Sequence, residues 1–176
     1  TKIFLCPMIN ALSIEDINSV APYKVQPVGD NRVIYTFVTD SGVELAIDFM
    51  DDDLITSAES YQLVISNVNN KRSPRDSKVR KTILAIVTEF FEKNQAALLY
   101  ICETGDGKQL ARYRLFSYWF DKFDYSLRFT CLSTSIEDED GIPNAATLFI
   151  RNDNPQLDQI ISDFNETVRL LRNKPQ

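Results

Sequence analysis

No histidine occurs anywhere in the chain, and that absence removes more chemistry than any motif adds. A Ser-His or Cys-His nucleophile pair is impossible, as is a histidine-ligated zinc site. Cysteine is nearly as scarce. Cys6, Cys102 and Cys131 are odd in number, far apart and set among apolar residues, with no CxxC pair for a thiolate zinc site. They read as buried strand thiols of a reducing compartment, not as a disulfide framework, which places the protein in the cytoplasm. Cys102 reads as a packed thiol, since nothing is present to activate it. No apolar run approaches the roughly 20 residues that span a bilayer. The opening TKIFLCPMIN lacks the apolar core and cleavage site of a signal peptide.

Glycine is also sparse, at five, and no repeat, low-complexity tract or linker interrupts the 176 residues. The chain is expected to form a single globular domain over 1–176, long enough to bury a core without staples. A net charge of −6 disfavours general nucleic-acid binding. The charge is unevenly spread, however. Asp48 and Asp51 to Asp53 form one acidic group and Glu137 to Asp140 another, and both read as solvated loops. The second lacks the alternating ligands and glycine of a calcium loop, so no metal site is expected. Against them, "KRSPRDSKVRK" at 71–81 holds six of the nineteen cationic residues and one acid, Asp76.

Patterning gives an element order. Residues 2–6 suggest a strand. "SIEDINSV" suggests a short helix, with Ser13 as N-cap and Asp16 reaching back to complete a capping box. "RVIYTFV", "TDSG" and "VELAIDF" form a hairpin pattern in which Val43, Leu45, Ile47 and Phe49 alternate with Glu44, Ala46 and Asp48. "YQLVISNV" is a third half-buried strand. A long helix follows to about Asn94, with Ser73 as cap, Pro74 in its first turn and Asp76 closing the box. Its stripe is Val79, Ile83, Ile86, Val87, Phe90 and Phe91. The continuous apolar run "AALLYIC" predicts a central strand covered on both faces. Asp106 and Gln109 then cap a helix through about Phe123, whose Phe116, Trp119, Phe120 and Phe123 read as core. "SLRFTCLS" and "AATLFIR" are two more strands. Asn154 and Pro155 start the last helix, with the stripe Leu157, Ile160, Ile161, Phe164, Val168 and Leu171.

The fold class is therefore α/β (α+β): one mixed, largely antiparallel sheet with helices on both faces. Residues 60–103 form a strand-helix-strand crossover, so strands 60–68 and 97–103 are expected to be parallel neighbours. The helices starting near Pro74 and Gly107 then open on the same sheet edge, where α/β folds commonly bind ligands. Helix N-termini favour anions. Lys71, Arg72, Arg75 and Lys78 surround one start. Gly105, Gly107, Lys108 and Arg112 belong to the other, with Lys108 and Arg112 one turn apart. These eight residues are the candidate anion-binding set. The plainer alternative stands beside it: solvated cations on a capped helix, and glycines that only allow a tight turn.

Two resemblances bear on this reading. "LLYICETGDGKQLARYRLFSYWF", with "FFEKN" upstream and "FIRNDNP" downstream, resembles the hallmark of an uncharacterised family of small bacterial proteins, a domain of unknown function, over roughly 33–172. It implies no activity. The element order is also similar to the Gcn5-related N-acetyltransferase fold. In that family a Q/R-x-x-G-x-G/A loop before the central helix binds the acyl-coenzyme A pyrophosphate. Here "RSPRDSK", 72–78, keeps Arg72 but neither glycine, and Pro74 and Arg75 stand where close backbone approach is needed. A later helix in such enzymes reads A-x-x-x-Y-x-x-x-G-F. Placing Ala111 on the alanine puts Leu115 at the general-acid tyrosine and Trp119 at the glycine.

The expectation is a non-catalytic, cytoplasmic binding or interaction protein on an acetyltransferase-like scaffold, without cofactor or catalytic residues. Its partner would be a protein or an anionic small molecule. The alternative is an acyl-coenzyme A-dependent acyltransferase in which Lys71, Arg72 and Arg75 replace the glycine loop.

Overall fold

The structure is a computed structural model that describes residues 8–102, 128–137, 140–141 and 143–172. Its described residues form α1 (Ile14–Val20), β1 (Gln26–Val28), β2 (Ile34–Val38), β3 (Glu44–Asp51), β4 (Ser60–Asn67) and α2 (Ser77–Lys93). Then come β5 (Ala97–Cys102), β6 (Phe129–Glu137), β7 (Pro143–Arg151) and α3 (Leu157–Arg172). The seven strands form one mostly antiparallel sheet in the order β1-β2-β3-β4-β5-β7-β6. The α/β class and the adjacency of β4 and β5 across the α2 crossover agree with the sequence pattern. The expected strand at 2–6 and the expected helix from Gly107 to Phe123, with Trp119, lie outside the described residues.

One strand has no sequence signature. β1 pairs antiparallel with β2, Gln26 opposite Thr36 and Val28 opposite Ile34. None of its three residues is buried, so no alternation exists to read. Pro27 is tolerated because β1 ends the sheet.

By its contacts the chain divides into two compact units, 1–51 with 63–94 and 52–62 with 95–176. In the first, the β2-β3 hairpin turns at Thr39, whose N–H donates to the Val43 carbonyl at 2.9 Å while its hydroxyl accepts from Val43 at 3.1 Å. Gly42 sits at φ +79°, a conformation that costs L side chains energy. The buried face of β3 is Leu45, Ile47 and Phe49, as the alternation predicts. Phe49 stacks on the fully buried Phe90 of α2 at 4.6 Å between centroids, and Phe91 meets Phe90 edge-on at 5.1 Å.

Ser13 caps α1 as expected, its hydroxyl accepting from the Asp16 N–H at 3.2 Å. The return half of the box is different. The Ser13 N–H donates to Glu89 of α2 at 3.0 Å, not to Asp16, because packing α1 on α2 brings a buried carboxylate closer. Two further bonds fasten the preceding segment to the end of α2: Asn10 N–H to Asn94 Oδ1 at 2.8 Å, and Asn10 Nδ2 to the Lys93 carbonyl at 2.7 Å.

In the second unit β5 lies between β4 and β7, and Ala97, Leu98, Leu99 and Tyr100 are all buried. That is the two-sided burial its unbroken apolar run implies. β7 pairs antiparallel with both β5 and β6. Ile160, Phe164 and Val168 of α3 pack on Ala97, Leu99, Leu148 and Ile150. Helix α3 starts at Leu157, two residues beyond Pro155, because Asn154 first closes a turn of its own through the Gln156 and Leu157 N–H groups. Cys131 on β6 is only half-buried, since its strand ends the sheet.

The first acidic group is less solvated than its composition suggests. Asp48 pairs with Arg32 at 2.8 Å. Asp52 is structural: it accepts from the Leu54 and Ile55 N–H groups, the Ser60 hydroxyl and the Gln62 amide, all within 3.2 Å. Asp163 of α3 holds the same loop, accepting from the Thr56 N–H, the Ser57 N–H and the Ser57 hydroxyl at 2.9, 3.1 and 2.9 Å. Partial burial pushes the Asp163 carboxyl up, but those donors, the Ser57 hydroxyl foremost, outweigh it and hold it below its usual 3.8.

Truncating Phe90 to alanine is expected to cost about 3–5 kcal/mol in urea unfolding, since it opens a cavity between two ring contacts. A loss under about 1 kcal/mol would show that the buried face of α2 is assigned wrongly.

Asp163 gives the fold an acid-sensitive latch. Its lowered folded-state pKa means that its stabilisation is fully present above the unfolded value near 3.8 and fades as pH falls through the lower folded value. Between neutral pH and a pH of about 3, Asp163→Asn should therefore lose less stability than the parent chain, as read from urea midpoints.

Candidate functional site

The amino end of α2 is the only expected anion site whose residues are described. Pro74 biases Ser73 away from helical geometry, and the chain from Lys71 to Asp76 is irregular. Asp76, at φ −141° and ψ 109°, is the N-cap, and its carboxylate accepts from the Lys78 N–H at 2.9 Å. The cap is thus Asp76, not Ser73, and Pro74 precedes the helix instead of occupying its first turn. A carboxylate at the cap satisfies both an orphan N–H and the helix dipole, which a serine hydroxyl does only in part.

Tyr23 completes this start. Its side chain is buried and stacks on Phe37 at 5.9 Å. Its phenol donates a short hydrogen bond to Asp76 and accepts from the Asp40 N–H at 3.2 Å. Its own N–H donates to the fully buried Thr82 hydroxyl, which in turn donates to the Lys78 carbonyl at 2.8 Å. The Lys78 ammonium reaches Asp40 at 2.9 Å and lies 5.6 Å from the centre of the Tyr23 ring. The hydrogen bond and charge of Lys78 hold Asp40 below its ordinary pKa, and Asp40 raises Lys78 in return. Burial, together with the Asp76 and Asp40 carboxylates, pushes the Tyr23 phenol up. The Lys78–Asp40 pair is solvated, so it satisfies charge more than it stabilises the fold.

The eight expected site residues therefore divide. Lys78 is neutralised by Asp40. Lys71 lies over the hairpin, where a Cβ on Gly42 would come within 3.1 Å of its Nζ. Its backbone is fixed by Asn67, which donates to its carbonyl at 2.8 Å. Asn69 also ties this loop to the Gly42 carbonyl at 2.8 Å. Arg72 and Arg75 are exposed and make no ion pair among the described residues. Gly105, Gly107, Lys108 and Arg112 lie outside the described residues. No group of three or more potential metal-ligating side chains occurs among the described residues. Among those residues, no helix is long and apolar enough to cross a membrane.

Sequence reasoning missed Tyr23 and Asp40. Neither belongs to a periodic stretch, and they are distant in sequence from Asp76. The one hint was an aromatic directly after Pro22, between two elements.

Fold and site together define a mixed α/β protein whose central helix starts on an internal carboxylate. Residues 75–166, more than half of the chain, match DUF6169, a family of unknown function, and the chain belongs to that family. The match contains the 98–120 stretch on which the resemblance rested, within narrower limits than 33–172. No curated protein and no solved structure matches the chain.

Asp76→Ala removes both the helix cap and the acceptor of Tyr23, so urea unfolding should show a loss of about 1–2 kcal/mol. Tyr23→Phe should cost less, and the two changes together should fall short of their sum, because they remove one shared bond. Strict additivity would mean that the phenol and the cap are independent.

Proposed function

We propose that this is a non-catalytic binding protein of the bacterial cytoplasm, which engages an acidic partner through the basic segment 71–78. The observation that carries this reading is the occupied start of α2. Asp76 already fills the position that a ligand phosphate would take, with Tyr23 bonded to it. A second anion there would face Asp76 and Asp40 at close range, which opposes an acyl-coenzyme A pyrophosphate. Arg72 and Arg75 remain as exposed cations beside this closed helix start, suited to a solvated acidic surface rather than an enclosed cofactor. The element order supports an acetyltransferase-like scaffold. The absent glycines, tyrosine and histidine support a scaffold without that chemistry. Three scattered cysteines support the cytoplasm, and the sequence resemblance supports bacterial origin.

Isothermal titration separates the readings. Polyglutamate should bind at low salt and weaken as salt rises, because exposed charges are screened over about 10 Å at 0.1 M. Replacing Arg72 and Arg75 together by alanine should weaken it about tenfold or more. Coenzyme A and acetyl-coenzyme A should show no binding at millimolar concentration. Tight coenzyme A binding that survives loss of both arginines would overturn the proposal, as would polyglutamate binding indifferent to them.

A further inference from the structure

The other end of the sheet carries a second surface, independent of the basic segment and contained within the second unit. β6 ends the strand order, so one of its edges has no partner strand among the described residues. The Asn152 N–H donates to the Arg128 carbonyl across the β6-β7 register, which makes the even-numbered residues of β6 the ones bonded to β7. The N–H and carbonyl of Ser133 and Ser135 consequently point outward. Natural edge strands are commonly blunted by lysine, proline or charge; on β6 a charge stands only at the last residue, Glu137, and the stretch from Phe129 to Ile136 carries none.

A groove of about 370 Å³ runs beside this edge. Leu132, Phe164 and Val168 supply its apolar part and Ser133, Thr134 and Asn165 its polar part. At its end stands Arg172, in the last turn of α3. Its Nη2 donates to the Thr134 hydroxyl at 2.6 Å and to the Ser135 carbonyl at 3.3 Å. Its Nε and Nη1 have no partner among the described residues, and no carboxylate there neutralises it. Arg169, its neighbour on α3, is by contrast closed off by Glu166. Arg172 is thus a guanidinium held at a sheet edge with donors to offer.

We propose that this groove binds an extended, acidic peptide segment of a partner protein, which adds as a strand along β6 at Ser133 and places a carboxylate on Arg172. Main-chain bonds to the edge would supply affinity, the apolar floor would take an alternate side chain, and the fork of Arg172 would select the acid. A cation without a carboxylate partner among the described residues, in a chain of net charge −6, is the complementary feature that favours an acidic occupant.

The test is selection of phage-displayed random peptides, about a dozen residues long, on the full chain. Enriched peptides should alternate β-branched and polar residues around a Glu or Asp. Arg172→Ala should weaken the best of them about tenfold. Ser133→Pro should abolish binding while leaving the β7 ladder intact, since the lost N–H points outward. Should Ser133→Pro unfold the chain, Arg172→Ala still decides the matter, because that side chain is exposed and its loss leaves the core untouched. Peptides unaffected by Arg172→Ala, or no enrichment of acidic sequences, would overturn the proposal. So would light scattering that shows a dimer dispersed by Ser133→Pro, because the occupant would then be a second copy of the chain. Polyglutamate binding through Arg72 and Arg75 is read separately, so either surface can fail alone.

Discussion

The hydrogen bond from the Tyr23 phenol to the Asp76 carboxylate organises the first unit. It joins the segment after α1 to the N-cap of α2, and through the Asp40 N–H it also fixes the β2-β3 turn. Lys78 then closes the circle by pairing with Asp40. Three separate stretches of chain meet at one buried aromatic, and each polar group there is satisfied by another. A buried phenol without acceptors and a helix start without a cap would each be unfavourable, so the two requirements are met by a single contact. The consequence for function is direct. A helix start whose positive end is already met by its own carboxylate is a poor place for a ligand anion.

Strand position explains why the two halves of the sheet read so differently. β5 has neighbours on both sides and covered faces, so its sequence is apolar without interruption. β3 is covered on one face and alternates. β1 and β6 end the order, so among the described residues each has one edge without a partner strand. β1 protects itself by being three residues long and containing Pro27. β6 is nine residues long and carries a charge only at its last residue, Glu137, which leaves the stretch around Ser133 uncharged beside Arg172.

The acidic residues also sort by geometry rather than by density in sequence. Asp52, Asp76 and Asp163 are capping groups that satisfy backbone N–H donors, whereas Asp40 and Asp48 neutralise cations. An excess of acid in this chain is therefore partly architectural. Arg72, Arg75 and Arg172 have no such carboxylate partner among the described residues, which is why both proposed surfaces are built on them.

What the sequence determined by itself follows from short-range periodicity. The alternation of Val43 to Phe49, the helical stripe to Phe91, the stripe from Leu157 to Leu171 (of which Ile160, Phe164 and Val168 are buried), the unbroken run at Ala97 and the Ser13 cap all depend on residues a few positions apart, and all were legible. The absence of histidine is likewise a fact of the sequence alone: no imidazole in these 176 residues can act as a base or a ligand. Tertiary structure alone decided the rest. Spacing pointed to Ser73 as the cap of α2, whereas the cap is Asp76, held by Tyr23 from fifty-three positions away. Glu89 displaced Asp16 at Ser13 for the same reason. The pairing of Lys78 with Asp40 and the seat of Arg172 beside β6 were equally invisible. A polar side chain takes whichever partner folding brings within about 3 Å, and that choice is made by packing, not by neighbours in the chain.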